Sequence, residues 1–146
     1  MRRLFAVTLL LLVLQFVFGT VTNLYVSIPA HHPGAGGSGY FSQSQQSISW
    51  ALAHSQPWLQ LHTGLGLVLV LLALIILAVS IVTLQGRLVL AAIVGLIGIV
   101  GASGAGLAFL DYGRDLDSLL MSIGFAVAVA AYVLGLLAAP QSRTRY

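Results

Sequence analysis

From Leu4 to Gly86 the chain contains no Asp, Glu, Lys or Arg. A water-soluble fold needs charged residues over much of its surface, and roughly 25% of an ordinary soluble domain is charged. Here 6% of the 146 residues are charged, all of them arginine or aspartate, and 59% are hydrophobic. Such a chain belongs in lipid. With no cysteine there is no disulfide, no thiol chemistry and no thiolate metal site.

A helix needs about 20 apolar residues to cross roughly 30 Å of hydrocarbon. Four stretches meet that length: residues 4–23, 58–84, 88–110 and 118–139. Pro57 suits a helix start, Gly86 and Gly113 suit helix ends, and Pro140 cannot continue a helix. These runs are continuous, whereas barrel strands would alternate over about ten residues. The expected fold is a single all-α integral membrane domain over residues 1–146, a four-helix transmembrane bundle. The links at 85–87 and 111–117 allow only antiparallel hairpins.

Arg2, Arg3, Arg87, Arg143 and Arg145 fall on one side of that model, and Arg114 falls on the other among Asp111, Asp115 and Asp117. The positive-inside rule then puts both termini in the cytoplasm, at the cell membrane. A net charge of +3 invites a nucleic-acid reading, but the arginines flank apolar runs and read as topology signals. No nucleic-acid partner is expected. The first apolar stretch also resembles a signal peptide, yet it is long for one and lacks the alanines of a cleavage site, so it is expected to stay as a helix.

The loop at residues 24–57 splits in two. Residues 29–39 are rich in Pro, Gly and His and should be irregular. In residues 41–54 the spacing of Phe41, Ile48, Ala51 and Leu52 predicts a short amphipathic helix lying on the membrane, with Trp50 and Trp58 at headgroup level.

Small residues recur at four-residue steps. The third stretch reads Ala91–Gly95, Gly98–Ala102–Gly106 and Gly101–Ala105, and the fourth Gly124–Ala128 and Ala131–Gly135–Ala139. Such steps let helix backbones approach closely. Leucine at Gly101 or Ala131 is expected to push them apart.

The chemistry on offer is sparse. No span contains Asp, Glu, Lys or Arg, the residues that transporters and proton pumps usually place in the membrane. A small multidrug transporter has this size but needs a membrane glutamate, and the thiol oxidoreductase, claudin and tetraspanin patterns need cysteines. Gly-x-Ser-Gly occurs at Gly36–Gly37–Ser38–Gly39 and Gly101–Ala102–Ser103–Gly104, the serine setting of an intramembrane protease. At about 1.5 Å per residue, however, Ser103 lies about 6 Å below the outer hydrocarbon edge and His62 about 4–5 Å above it. A serine–histidine pair needs about 3 Å, so no enzymatic activity is expected.

One layer merits attention. His62, Asp111 and Met121 fall at one depth, with Asp117 beside them, beneath a loop holding His31, His32 and His54. Imidazole, carboxylate and thioether can together bind copper, and imidazole with carboxylate can bind zinc. The plainer expectation is interfacial histidines and no cofactor, with Arg114 pairing Asp111 against the unfavourable dipole of a helix end. The role expected from the whole pattern is a packing partner, accessory subunit or homo-oligomer in a membrane assembly. Its partners would be the lipid bilayer and other membrane proteins or itself. The alternative is an outward-facing copper, zinc or haem binder.

Overall fold

A computed structural model describes residues 1–29, 31–35 and 39–140. Five helices account for most of them: α1 (Arg2–Tyr25), α2 (Tyr40–Ala53), α3 (Pro57–Val82), α4 (Gly86–Tyr112) and α5 (Asp115–Ala138). All but α2 are long and apolar enough to cross a membrane. The four apolar stretches thus become four helices, each a residue or more off the expected bounds. Arg143 and Arg145 lie outside the described residues.

The long helices close into a ring. α1 packs on α3 and α5, α3 on α4, and α4 most extensively on α5, while α2 caps one end against α3 and α4. Pro57 opens α3 as its first residue, and Gly113 ends α4 in the left-handed conformation (φ 63°), with its N–H donating to Phe109 O. Gly86 does not end α3. It is the first residue of α4, and Leu84 takes the left-handed turn between them (φ 52°). A three-residue link leaves no room for a separate glycine cap, so leucine adopts a backbone that costs an L-residue about 1–2 kcal/mol.

α4 and α5 meet backbone to backbone. A Cβ built on Gly98 would lie 2.7 Å from both Ala128 N and Gly124 O, and one on Gly124 would lie 2.7 Å from Gly98 O and 2.8 Å from Ala102 N. On either side of this crossing, aromatic rings fill the hollows that glycines leave. Tyr132 sits over Gly95, and Phe5 of α1 sits over Gly135; the two rings are 5.8 Å apart and both are fully buried. Helices surrounded by lipid gain no hydrophobic drive from association, so dense van der Waals packing must hold them together.

The α1–α3 seam keeps one antiparallel register. The Gln15 amide lies against Gly66 and the His62 ring against Gly19. Continuing that register sets Leu12 opposite Leu69, Thr8 opposite Ala73 and Phe5 opposite Ile76. All six of these residues are buried.

The small-residue lanes divide by face. Gly98, Ala102 and Gly106 turn to α5, where Met121 Sδ covers Gly106. Gly101 and Gly104 face no atom within 4 Å, which corrects the expectation that Gly101 lies in the internal seam. Ala131 is buried as expected. Alanine gains about 1 kcal/mol over glycine in helix propensity, so the two lanes should answer one substitution differently. Gly98→Ala should lower the thermal midpoint in detergent because backbone must move, and Gly101→Ala should hold or raise it. Equal responses would contradict the assignment of faces.

Candidate functional site

The polar groups gather at the end of the ring that α2 covers. α2 begins after Gly39 and is a helix as expected, but the face it buries is a different one. Gln43, Ser47 and Ala51, four residues apart, are buried, whereas Phe41 is 87% exposed. The expected apolar face was read from Phe41, Ile48, Ala51 and Leu52, and only Ala51 of these is fully buried. Two polar side chains displace the apolar ones because an acid waits beneath them.

That acid is Asp111, in the last turn of α4. Ser47 Oγ donates to its Oδ1 at 2.6 Å, and Gln43 Nε2 donates to its Oδ2 at 3.1 Å and to Tyr112 OH at 3.4 Å. Arg114 is not its partner, contrary to the sequence-based expectation. Gly113 reverses the chain, so Arg114 precedes α5 and looks along that helix's first turn. Its Nε and Nη2 donate to the two oxygens of Asp117 at 2.8 and 3.1 Å, and its guanidinium lies 4.9 Å from the Tyr112 ring. Hydrogen bonding and charge from Asp117 raise the Arg114 pKa above its ordinary value. Asp117 is only 4% exposed and carries this fork.

His32 holds the loop. Its ring stacks on Trp50 at 4.5 Å and 18°, with Nε2 3.1 Å from Leu110 O and Nδ1 3.0 Å from Pro33 O. A neutral imidazole has one N–H and donates to one of these carbonyls; the imidazolium donates to both. Gly34 follows at φ 104°, so close to Ser47 that any Cβ would meet the hydroxyl and the backbone N–H of that residue. Trp50 therefore packs against the loop as well as facing outward, and a small apolar cluster of Ala51, Leu59 and Leu110 lies beneath it.

The proposed metal residues have separate neighbours. His62 turns to Gly19 of α1, Asp111 is bonded by α2, and Met121 packs on Gly106. Among the described residues no three His, Asp or Glu side chains group as a metal site would require. His62 nonetheless has an unusual setting. Its carbonyl accepts from Gln15 Nε2 at 3.1 Å, while its Nδ1, Gln15 Oε1 and Thr22 Oγ1 are buried without a protein partner. Gln15, Gln43 and Ser47 were missed as site residues. Residue order held no signal for them, because the stripe that Gln43 and Ser47 occupy and the contact that Gln15 makes are defined only by the packing. Ser38, in the first Gly-x-Ser-Gly copy, lies outside the described residues.

Compared with known proteins, the chain matches no family model, no curated protein sequence and no solved structure.

The two acid assignments can be separated by substitution. Asp111→Ala leaves Ser47 and Gln43 without their acceptor, a loss of about 1–3 kcal/mol for buried polar groups. Hydrogen exchange in α2 should rise in that variant and stay unchanged in Arg114→Gln. Equal loosening of α2 by both would restore Arg114 as the partner of Asp111.

Proposed function

We propose that the protein is a multi-pass component of the cell membrane, a four-helix transmembrane bundle with both termini in the cytoplasm. It has no enzymatic activity and serves as a packing partner, accessory subunit or homo-oligomer in a membrane assembly. The observation that carries this reading is the outward lane on α4. Gly95, Gly98, Gly124 and Gly135 are each filled by a neighbour, whereas Gly101 and Gly104 present bare helix backbone to the outside. Glycine is a poor helix former, and a second helix seated on that lane would supply the close contact that small residues permit. The orientation is supported by charge. Arg2, Arg3 and Arg87 stand at one end of the ring, and all three aspartates stand at the end that α2 covers. Retention of α1 is supported by Phe5, whose loss would leave Gly135 and Tyr132 uncovered.

Gly101→Leu tests the lane. Cross-linking in native membranes should show a smaller assembly, while the purified variant keeps the thermal midpoint of the wild type. An assembly of unchanged size would overturn this reading.

The second reading, an outward-facing binder of copper, zinc or haem, is favoured by the unpartnered Nδ1 of His62. Metal analysis and haem absorbance on gently purified protein test it. Stoichiometric metal or haem that disappears in His62→Ala would support it, and occupancy unchanged by that substitution would reject the site.

A further inference from the structure

At the end of the ring opposite α2, the α3–α4 hairpin forms a groove of about 420 Å³ on the outer surface of the bundle. Ile81 and Leu84 form one wall, and Gly86, Val89, Leu90 and Ile93 form the other. The lining is aliphatic throughout. The left-handed turn at Leu84 leaves that side chain 88% exposed at the mouth. Arg87, at the same turn, is exposed and has no hydrogen bond or ion pair to any described residue.

Charge decides the occupant. Arg2 and Arg3 stand at the same end as Arg87, because α1 and α4 both begin there, and every aspartate of the chain lies at the opposite end. The first turn of α4 holds no acidic residue and Gln85 makes no side-chain cap, so the N–H groups of Gly86 and Arg87 are open, while those of Leu88 and Val89 donate to Gln85 O. An aliphatic slot with an unpaired arginine at the adjoining position of the turn, in a field with no negative charge, matches an amphiphile with an anionic head. In a bilayer such a groove fills with lipid.

We propose that this groove seats one anionic glycerophospholipid. An acyl chain lies along Val89, Leu90 and Ile93, and the phosphodiester accepts charge-assisted hydrogen bonds from Arg87. The site rests on the membrane reading given above and lies on the same face of α4 as Gly101, with Ile93 about 12 Å along the helix from it at about 1.5 Å per residue.

Native mass spectrometry of the detergent-released protein tests it, with phosphatidylglycerol and phosphatidylcholine of identical acyl chains as the probes. The wild type should bind phosphatidylglycerol more tightly. Arg87→Gln should lower that affinity about tenfold, the size of one charge-assisted hydrogen bond, and leave phosphatidylcholine binding unchanged. Leu90→Trp, which fills the slot, should weaken both lipids. Three results would overturn the proposal: equal affinity for the two lipids in the wild type, a phosphatidylglycerol preference that survives Arg87→Gln, or a preference abolished only by replacing Arg2 and Arg3. Equal tight binding of both lipids would retain the membrane reading and remove the site, whereas binding of neither would remove both.

Discussion

The contact between Gly98 and Gly124 sets how near α4 and α5 can lie, and the rest of the packing follows from that distance. Only glycine lets a carbonyl of one helix approach the Cα of the other this closely, where weak Cα–H···O contacts add to dispersion. With the axes so near, Tyr132 can occupy the hollow at Gly95, and its ring gives Phe5 a surface to pack on. Phe5 fixes the height of α1, and the Gln15–Gly66 and Gly19–His62 steps carry that height into α3. A large side chain on one helix repeatedly meets glycine on the next. This complementarity gives the ring a single register where general apolarity would allow many.

The two ends of the ring solve different problems. At the capped end, Asp111 places negative charge where the α4 dipole is already negative, an arrangement that costs about 0.3–1 kcal/mol when nothing compensates it. Compensation comes from the hydroxyl and amide of α2, and the same bonds tie the loop down through Ser47, Gly34 and His32. The first turn of α5 is the reverse case, since Asp115 and Asp117 favour a helix start and Asp117 also holds Arg114. The opposite end carries cations without acids. A polarity of charge thus runs along the ring, and in a membrane it bears on orientation and on lipid choice alike.

Much of the helix pattern was legible from residue order, because long uncharged runs bounded by Pro57, Gly113 and Pro140 leave few alternatives. Which face of each helix points inward was not. A helix that is apolar all round has no hydrophobic stripe to mark its inner side, so the Gly98 and Gly101 lanes look alike in sequence and differ only once α5 is in place. The face of α2 was misread for a related reason. Its buried stripe is polar, and Gln43 and Ser47 make sense only with Asp111 beneath them, sixty-odd positions away along the chain. Likewise Arg114 is as near Asp111 as Asp117 in sequence, and the left-handed turn at Gly113 decides between them. For His62, packing on Gly19 and Gln15 depended on the α1–α3 register, which residue order does not give.

The central claim is that the α3–α4 and α4–α5 turns lie on opposite faces of a membrane, and labelling of single cysteines tests it most directly. The chain has no cysteine of its own, so the wild type is silent. Gln85 and Tyr112 are both exposed and stand at the two ends of α4. In intact cells, Tyr112→Cys should react with an impermeant thiol reagent, and Gln85→Cys should react only after the membrane is opened. Labelling of both from the same side would contradict the four-span ring, and labelling in the reverse order would invert its orientation.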